Sequence, residues 1–254
     1  MKDTRLAIPY FNDGFGYSFK AVCFALCSGA LRNLSELDGS SRDLNDEAMV
    51  TLSSTIATGA LPELVDLRLK DNQIGDNGMI AFAYAIKPGE ETPSEVRGEL
   101  TKLNSLDLGW NRIGDKGMEA FSGALCSGAL ASLRYLCLSS NQVGEEGMKA
   151  FSRALSNGNL ESLTNLWLDG NQIGDKGMEA FSSALPGGAL ASLETLYIGS
   201  NQIGKEGMSA FARAIKPASN LRQGGLASLK ALCLKHNNIG GEGMGAFADA
   251  IKPT

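Results

Sequence analysis

One segment recurs six times along the chain and constrains its fold more than any other feature. Its consensus is Leu-x-x-Leu-x-Leu-x-x-Asn-x-Ile-Gly, then a mostly charged pair, then Gly-Met-x-x-Phe. The asparagines fall at Asn72, Asn111, Asn141, Asn171, Asn201 and Asn237, so three of the five intervals are 30 residues and the others are 39 and 36. A period of this length marks a solenoid, in which each unit buries its apolar face only by stacking on its neighbours.

The unit from Leu160 to Leu190 shows how each copy is built. The Leu166-x-Leu168 alternation has the period of two that a strand requires, with Leu163 just before it. Asn171 follows where the chain must leave the sheet, and a side-chain amide that both donates and accepts can satisfy the backbone groups a turn leaves unpaired. Stacked copies would form an asparagine ladder. Ile173 returns to the core, Gly174 is expected to relieve strain in the turn, and Asp175 reads as a helix N-cap or first-turn acid. Met178, Phe181 and Leu185 then fall on one helical face. Ala180 and Ala184 are small enough for neighbouring helices to approach. Methionine recurs at Met79, Met118, Met148, Met178, Met208 and Met244. Its regular placement beside phenylalanine predicts core filling, not a metal-binding stripe.

Residues 32–254 are expected to form one continuous solenoid of one degenerate and six regular units. In the degenerate unit Arg42 stands where asparagine is expected. Residues 1–31, with Phe11, Phe15, Phe19 and Phe24, read as an N-terminal cap or partial repeat. Two Pro-, Gly- and charge-rich insertions, Lys87 to Glu99 and Lys216 to Gly225, lengthen the period. The chain stops at Thr254 at the same point of the unit, so the last helix is either the end or part of a longer array.

Parallel strands sit ~4.8 Å apart, whereas packed helices need ~8–10 Å. Stacking strand–helix units therefore bends the body into a right-handed α/β horseshoe, with a parallel sheet on the concave side and helices on the convex side. The unit resembles the ribonuclease-inhibitor-like class of leucine-rich repeats, which includes the repeats of NOD-like receptors and the Ran GTPase-activating protein. The Asn171 to Phe181 stretch is most similar to the sensor-type repeats. The resemblance covers about residues 34–254 and implies fold far more than function.

Composition narrows the function by exclusion. The net charge is −5 and the pI about 5.1, against the basic face that nucleic acid requires. No apolar run approaches the ~18 residues of a membrane span, and no secretory leader is visible. The cysteines number five, with no Cys-x-x-Cys pair, which points to a reducing, cytoplasmic setting. No Gly-x-Ser-x-Gly, His-Glu-x-x-His or Walker A sequence occurs. Gly240 to Gly245 follows the repeat register and does not read as a phosphate loop. No cofactor, metal or catalytic residue is expected.

The informative surface is the concave sheet. Between the second and third strand leucines stand Arg68, Asp107, Cys137, Trp167, Tyr197 and Cys233. Two residues earlier stand Asp66, Ser105, Tyr135, Asn165, Thr195 and Ala231. After the third leucine come Lys70, Gly109, Ser139, Asp169, Gly199 and Lys235. The position before the ladder asparagine holds Asp71, Trp110, Ser140, Gly170, Ser200 and His236. This predicts a partner-binding patch of Arg68, Asp107, Trp110, Tyr135, Trp167, Asp169, Tyr197, Lys235 and His236, because tryptophan and tyrosine dominate binding hot spots. The expected function is a non-enzymatic scaffold for a protein or peptide, with neither nucleic acid nor membrane as partner. The family resemblance leaves two alternatives open: a GTPase activator, or a sensor or structural fragment of a larger protein.

Overall fold

The computed structural model describes residues 4–8, 17–88, 100–216 and 226–252. Phe11, Phe15, Pro253, Thr254 and most of both insertions lie outside the described residues. Eight strands form one sheet in chain order, every neighbouring pair parallel. They are β1 (Thr4–Ala7), β2 (Leu34–Asp38), β3 (Asp66–Arg68), β4 (Ser105–Asp107), β5 (Tyr135–Cys137), β6 (Asn165–Trp167), β7 (Thr195–Tyr197) and β8 (Ala231–Cys233). Between and after them run α1 (Tyr17–Cys27), α2 (Asp46–Ala57), α3 (Asp76–Ile86), α4 (Asp115–Cys126), α5 (Glu145–Ser156), α6 (Gly174–Ala184), α7 (Lys205–Ile215) and α8 (Gly240–Ala250). Each helix packs on the next. This is the expected α/β solenoid.

The core runs the length of the stack between sheet and helices. In the unit containing β6 and α6, Leu163, Leu166, Leu168, Ile173, Met178, Phe181 and Leu185 are all at most 1% exposed. Burying each such side chain contributes ~1.5–3 kcal/mol. The methionine position is core, as expected, except at the last unit, where Met244 is 45% exposed. The N-terminal helix carries an exposed ring, Phe24. It projects from α1 into solvent at 78% exposure, while Phe19 of the same helix is buried.

The asparagines form the ladder. Asn141 Nδ2 donates to Leu138 O at 3.1 Å in its own unit and to Leu108 O at 2.9 Å in the preceding one, while its Oδ1 accepts from Ile113 N at 2.9 Å. Asn72, Asn111, Asn171, Asn201 and Asn237 repeat the bridge to the preceding unit. Arg42, in the degenerate unit, reproduces the donor half with a guanidinium: Nε donates to Ile8 O at 2.5 Å and Nη1 to Ser40 O at 2.9 Å. An arginine can therefore fill an asparagine position at the end of the ladder, where its donors suffice.

A second ladder runs along the helix N-termini. Asp76 Oδ1 accepts from Gly114 N at 2.7 Å and Gly117 N at 2.9 Å, both in the next unit. Asp115 does the same for Gly144 and Gly147, and Asp175 for Gly204 and Gly207. Asp175 lies in the first turn of its own helix, but the helix it caps is the following one. These carboxylates meet the unpaired amides and positive end of the neighbour's dipole.

The expectation that Gly174 relieves turn strain holds for that residue, at φ +60°, and for Gly240 at φ +65°. It does not extend to Gly75, Gly114, Gly144 or Gly204, whose backbones are extended. The difference follows the residue in the first turn of the previous helix that stands directly after the equivalent glycine or, in the degenerate unit, after Asn45. Where that residue is Asp, the next glycine is capped and extended. Before Gly174 stands Glu145, longer by a methylene and bonded to Lys149 at 2.6 Å. Before Gly240 stands Lys205, whose ammonium has the wrong sign for a helix N-terminus and pairs with Glu242 at 3.1 Å. The glycine before each methionine is needed for close approach. A Cβ on Gly117 would sit 2.8 Å from Asp76 Oδ1 and 3.0 Å from Met79 Cβ.

Two substitutions test the ladders. Asn141→Ala orphans a buried amide and carbonyls, and should cost about 3 kcal/mol in urea denaturation at ~1–3 kcal/mol per orphaned group; a loss below about 1 kcal/mol would show the bridge to be dispensable. Asp115→Ala should cost about 1 kcal/mol, the usual value of an N-cap, and should speed hydrogen exchange at Gly144 and Gly147 selectively over the capped amides of Gly204 and Gly207.

Candidate partner-binding face

Because β2 to β8 pair parallel and in register, equivalent outward side chains line up in rows across the sheet. Asp38, Arg68, Asp107, Cys137, Trp167, Tyr197 and Cys233 form one row. Glu36, Asp66, Ser105, Tyr135, Asn165, Thr195 and Ala231 form the row beside it. The leucines between them point into the core, with 0–1% exposure from β2 to β7 and Leu232 of β8 partly buried, so the alternation assigns the two rows to the open face.

The rings meet in the middle of this face. Tyr135 packs edge-on against Trp167 with centroids 5.1 Å apart, and Trp167 stacks on Tyr197 at 5.5 Å and 13°. Such pairs contribute ~0.5–1.5 kcal/mol beyond the area they bury. They hold three half-buried rings in fixed orientation without a covering layer. Trp167 Nε1 is buried and has no hydrogen-bond partner among the described residues.

Titratable groups around the rings are perturbed mainly by burial. Burial, reinforced by the Asp107 charge, pushes the Cys137 thiol up to about 11. It is therefore a thiol at neutral pH and no nucleophile. Burial, then the neighbouring Cys137 and Asp107, pushes the Tyr135 hydroxyl well above the usual phenol range. Burial also raises Asp169, although Gly199 N donates to its Oδ1 at 2.8 Å. Asp107 Oδ1 accepts from Gly109 N at 2.9 Å. Glycine at these positions leaves room for the acids: a Cβ on Gly109 would lie 3.2 Å from Asp107 Oδ1, and one on Gly199 3.0 Å from Asp169 Oδ1.

The structure places the expected residues in three groups. Arg68, Asp107, Trp167 and Tyr197 share a row, with Tyr135 beside it. Asp169 and Lys235 lie one step further along, Lys235 exposed. Trp110 and His236 occupy the position before the ladder asparagine, where the backbone is left-handed at φ +57° and +56°. Asp71, Ser140, Gly170 and Ser200 share that conformation. A bulky residue there is uncommon and costs ~1–2 kcal/mol. Trp110 nonetheless stands 59% exposed, with no ring contact to the other three aromatics. Sequence reasoning missed the other end of the face. Arg5 on β1 lies 3.3 Å from Glu36 and 3.6 Å from Asp38 on β2. The Leu-Ser-Glu-Leu-Asp alternation of Leu34 to Asp38 carried the signal for the acids; the four-residue β1 was too short to announce itself.

A leucine-rich repeat profile matches residues 62–83, 99–122, 129–152, 159–182, 189–212 and 225–248, together more than half of the chain. The chain belongs to the leucine-rich repeat family. No curated protein matches its sequence. Among solved structures, this leucine-rich repeat protein is similar to an internalin from Listeria monocytogenes, with 21% identity and a TM-score of 0.46 over 87% of this chain and 60% of that one. It is similar to leiomodin-1 actin-binding site 2, with 17% identity and a TM-score of 0.46 over 60% of this chain and 80% of that one. It is also similar to TLR13 in its complex with ssRNA13, with 19% identity and a TM-score of 0.45 over 92% of this chain and 33% of that one. The chain thus spans less than two thirds of the internalin and one third of the TLR13 chain. At these identities and scores the likenesses carry no argument about function.

Asp169 yields a prediction whose sign follows from its burial. Its folded-state pKa is raised, so the native state disfavours the charged form; the penalty is absent below the unfolded carboxylate pKa and complete above the folded one. Asp169→Asn should therefore raise the thermal midpoint at pH 7 and leave it unchanged at pH 3. Equal shifts at both values would mean that the charge is not what costs stability.

Proposed function

We propose that this protein is a non-enzymatic scaffold that binds a protein or peptide across the concave sheet, anchored by Tyr135, Trp167 and Tyr197, with Trp110 as an outlying contact. The observation that carries this reading is the fixed three-ring cluster, left uncovered at the centre of the face. Tyrosine and tryptophan bury a large area with little rotamer entropy to lose, and cross-strand stacking has already removed much of that entropy. Arg68, Asp107, Asp169, Lys235 and His236 surround the rings as a polar rim. Family membership supports interaction in general. The choice of face and residues rests on the geometry above.

Several finer readings belong with this proposal. Full helices of 11 or 12 residues in every regular unit support placement near the ribonuclease-inhibitor-like class. Five free cysteines, one of them a core residue raised by burial to about 11, support a reducing compartment such as the cytoplasm. A protein partner is favoured over nucleic acid on charge alone, because the fold itself excludes neither. No described helix is long and apolar enough to cross a membrane.

Partners captured from a lysate, then purified and titrated calorimetrically, test the site. Trp167→Ala combined with Tyr197→Ala should weaken binding at least tenfold, about 1.4 kcal/mol, while far-ultraviolet circular dichroism and the thermal transition remain cooperative. Unchanged affinity in a folded double variant would reject the concave site.

A further inference from the structure

The acids of the concave face fall into two classes. Toward β1 they are paired internally: Glu36 and Asp38 with Arg5, and Asp66 with Arg68. Asp107 and Asp169 are not. Among the described residues no lysine or arginine nitrogen lies within 4 Å of either. Arg68, which faces Asp107 in register, is engaged by Asp66 and lies in the field of Glu36 and Asp38. Both free carboxylates are held in place by backbone amides, Gly109 N on Asp107 and Gly199 N on Asp169. They flank the ring cluster, Asp107 on β4 and Asp169 just past the end of β6.

We propose that this part of the face binds an extended partner segment through two cationic side chains, arginine or lysine, one on Asp107 and one on Asp169, with their stems lying on the rings between. The inference rests on the concave reading above and names the chemistry of the partner. Two fixed anions beside an aromatic surface are complementary to guanidinium or ammonium groups, whose charge meets the carboxylate and whose flat or methylene portion packs on the ring. The uncompensated burial of Asp169 points the same way, since an arriving cation would offset it.

Geometry sets the spacing. The amides that hold them, Gly109 N after β4 and Gly199 N after β7, stand three strand intervals of ~4.8 Å apart, which sets the two carboxylates roughly 14 Å apart. An extended chain covers that distance in about four residues, and side chains four apart project to the same side. The segment should therefore carry its cations at positions i and i+4, with apolar residues between them over Trp167. Lys235, exposed toward β8, would repel a third cation in that direction and so hold the segment over β4 to β7.

The test uses the isotopically labelled protein and three synthetic probes: acetyl-Gly-Arg-Ala-Leu-Ala-Arg-Gly-amide, and analogues with both arginines replaced by leucine or by glutamate. The chain has two tryptophans, so Trp167→Phe assigns the Trp167 indole resonance. The arginine peptide should shift that resonance saturably. Its affinity should be at least tenfold above either analogue, should fall at least tenfold in the Asp107→Asn, Asp169→Asn double variant, and should weaken between 0.05 and about 0.5 M salt, as exposed charge pairs do. The amide spectrum of the double variant reports whether it is folded; should it not be, the single variants carry the comparison. If the leucine peptide binds as well as the arginine peptide, or if no probe moves the indole, the cation inference is overturned. The concave reading fails separately, if peptide binding survives Trp167→Ala with Tyr197→Ala.

Discussion

The structure depends on a buried amide that serves two units at once. At each turn the chain must leave the sheet, and in a stack of parallel units those turns lie against one another out of reach of water. A buried backbone group without a partner costs ~1–3 kcal/mol, so a solenoid of this kind would lose stability at every unit. One asparagine side chain removes the difficulty by donating to carbonyls of its own and the preceding unit and accepting from amides of that preceding unit. The aspartates at the helix starts solve the matching problem on the other side of the stack. Each helix leaves amides unpaired at its N-terminus, and the carboxylate of the previous unit accepts them. Sheet side and helix side are thus both tied from unit to unit by side chains that no isolated unit could use.

This arrangement explains which positions are free to differ. The leucines, the ladder asparagine, the close-packed glycine, the methionine and the phenylalanine all touch a neighbouring unit, so a change in one copy is felt in two. The concave positions touch neighbours through side chains that lie above the sheet, not through the packed core. They hold Arg, Asp, Cys, Trp and Tyr in a single row with no disturbance of the strands beneath. The ends show the same logic in reverse. In the unit of β8 and α8, the last of the described residues, Met244 is 45% exposed and Ile251 58%, although the same methionine position is buried elsewhere along the stack.

Most of the architecture was legible because it is written in periodicities. Leu166-x-Leu168 has the period of a strand, Met178 to Leu185 that of a helix, and the recurrence at 30 residues that of a stack. What could not be read depends on contacts between units. Asp175 looks like the cap of its own helix, since sequence proximity is the only guide; that it caps the next helix follows from how far α6 and α7 lie along the stack. The extended or left-handed state of the glycine opening a helix is likewise decided by a residue about 30 positions earlier. For the candidate site, strand alternation assigned the rows correctly, but it gave no sign that Tyr135, Trp167 and Tyr197 touch while Trp110 stands apart. It also did not show that Arg5 and Arg68 neutralise their own neighbours and leave Asp107 and Asp169 unpaired.

The unpaired acids and the left-handed tryptophan share a property that sets them apart from the framework. Elsewhere in the repeats, local preference and global fold mostly agree: small residues stand where backbones meet, acids at most helix starts, apolar residues in the core, with Leu130 at φ +58° and Lys205 at the start of α7 as departures. On the concave face the two conflict. Trp110 occupies a backbone conformation that suits glycine or aspartate better, and the equivalent position holds Gly170 and Asp71 in other units. Asp169 keeps a carboxylate in a place that raises its pKa, and Trp167 buries an indole N–H without a partner. Each is a cost to folding that a serine, an asparagine or a phenylalanine would avoid. Such conflicts are expected where residues serve something other than stability. That three of them fall on one side of one sheet, among residues the fold leaves free to vary, is a stronger pointer to that face than the aromatic content alone, which any exposed sheet could carry.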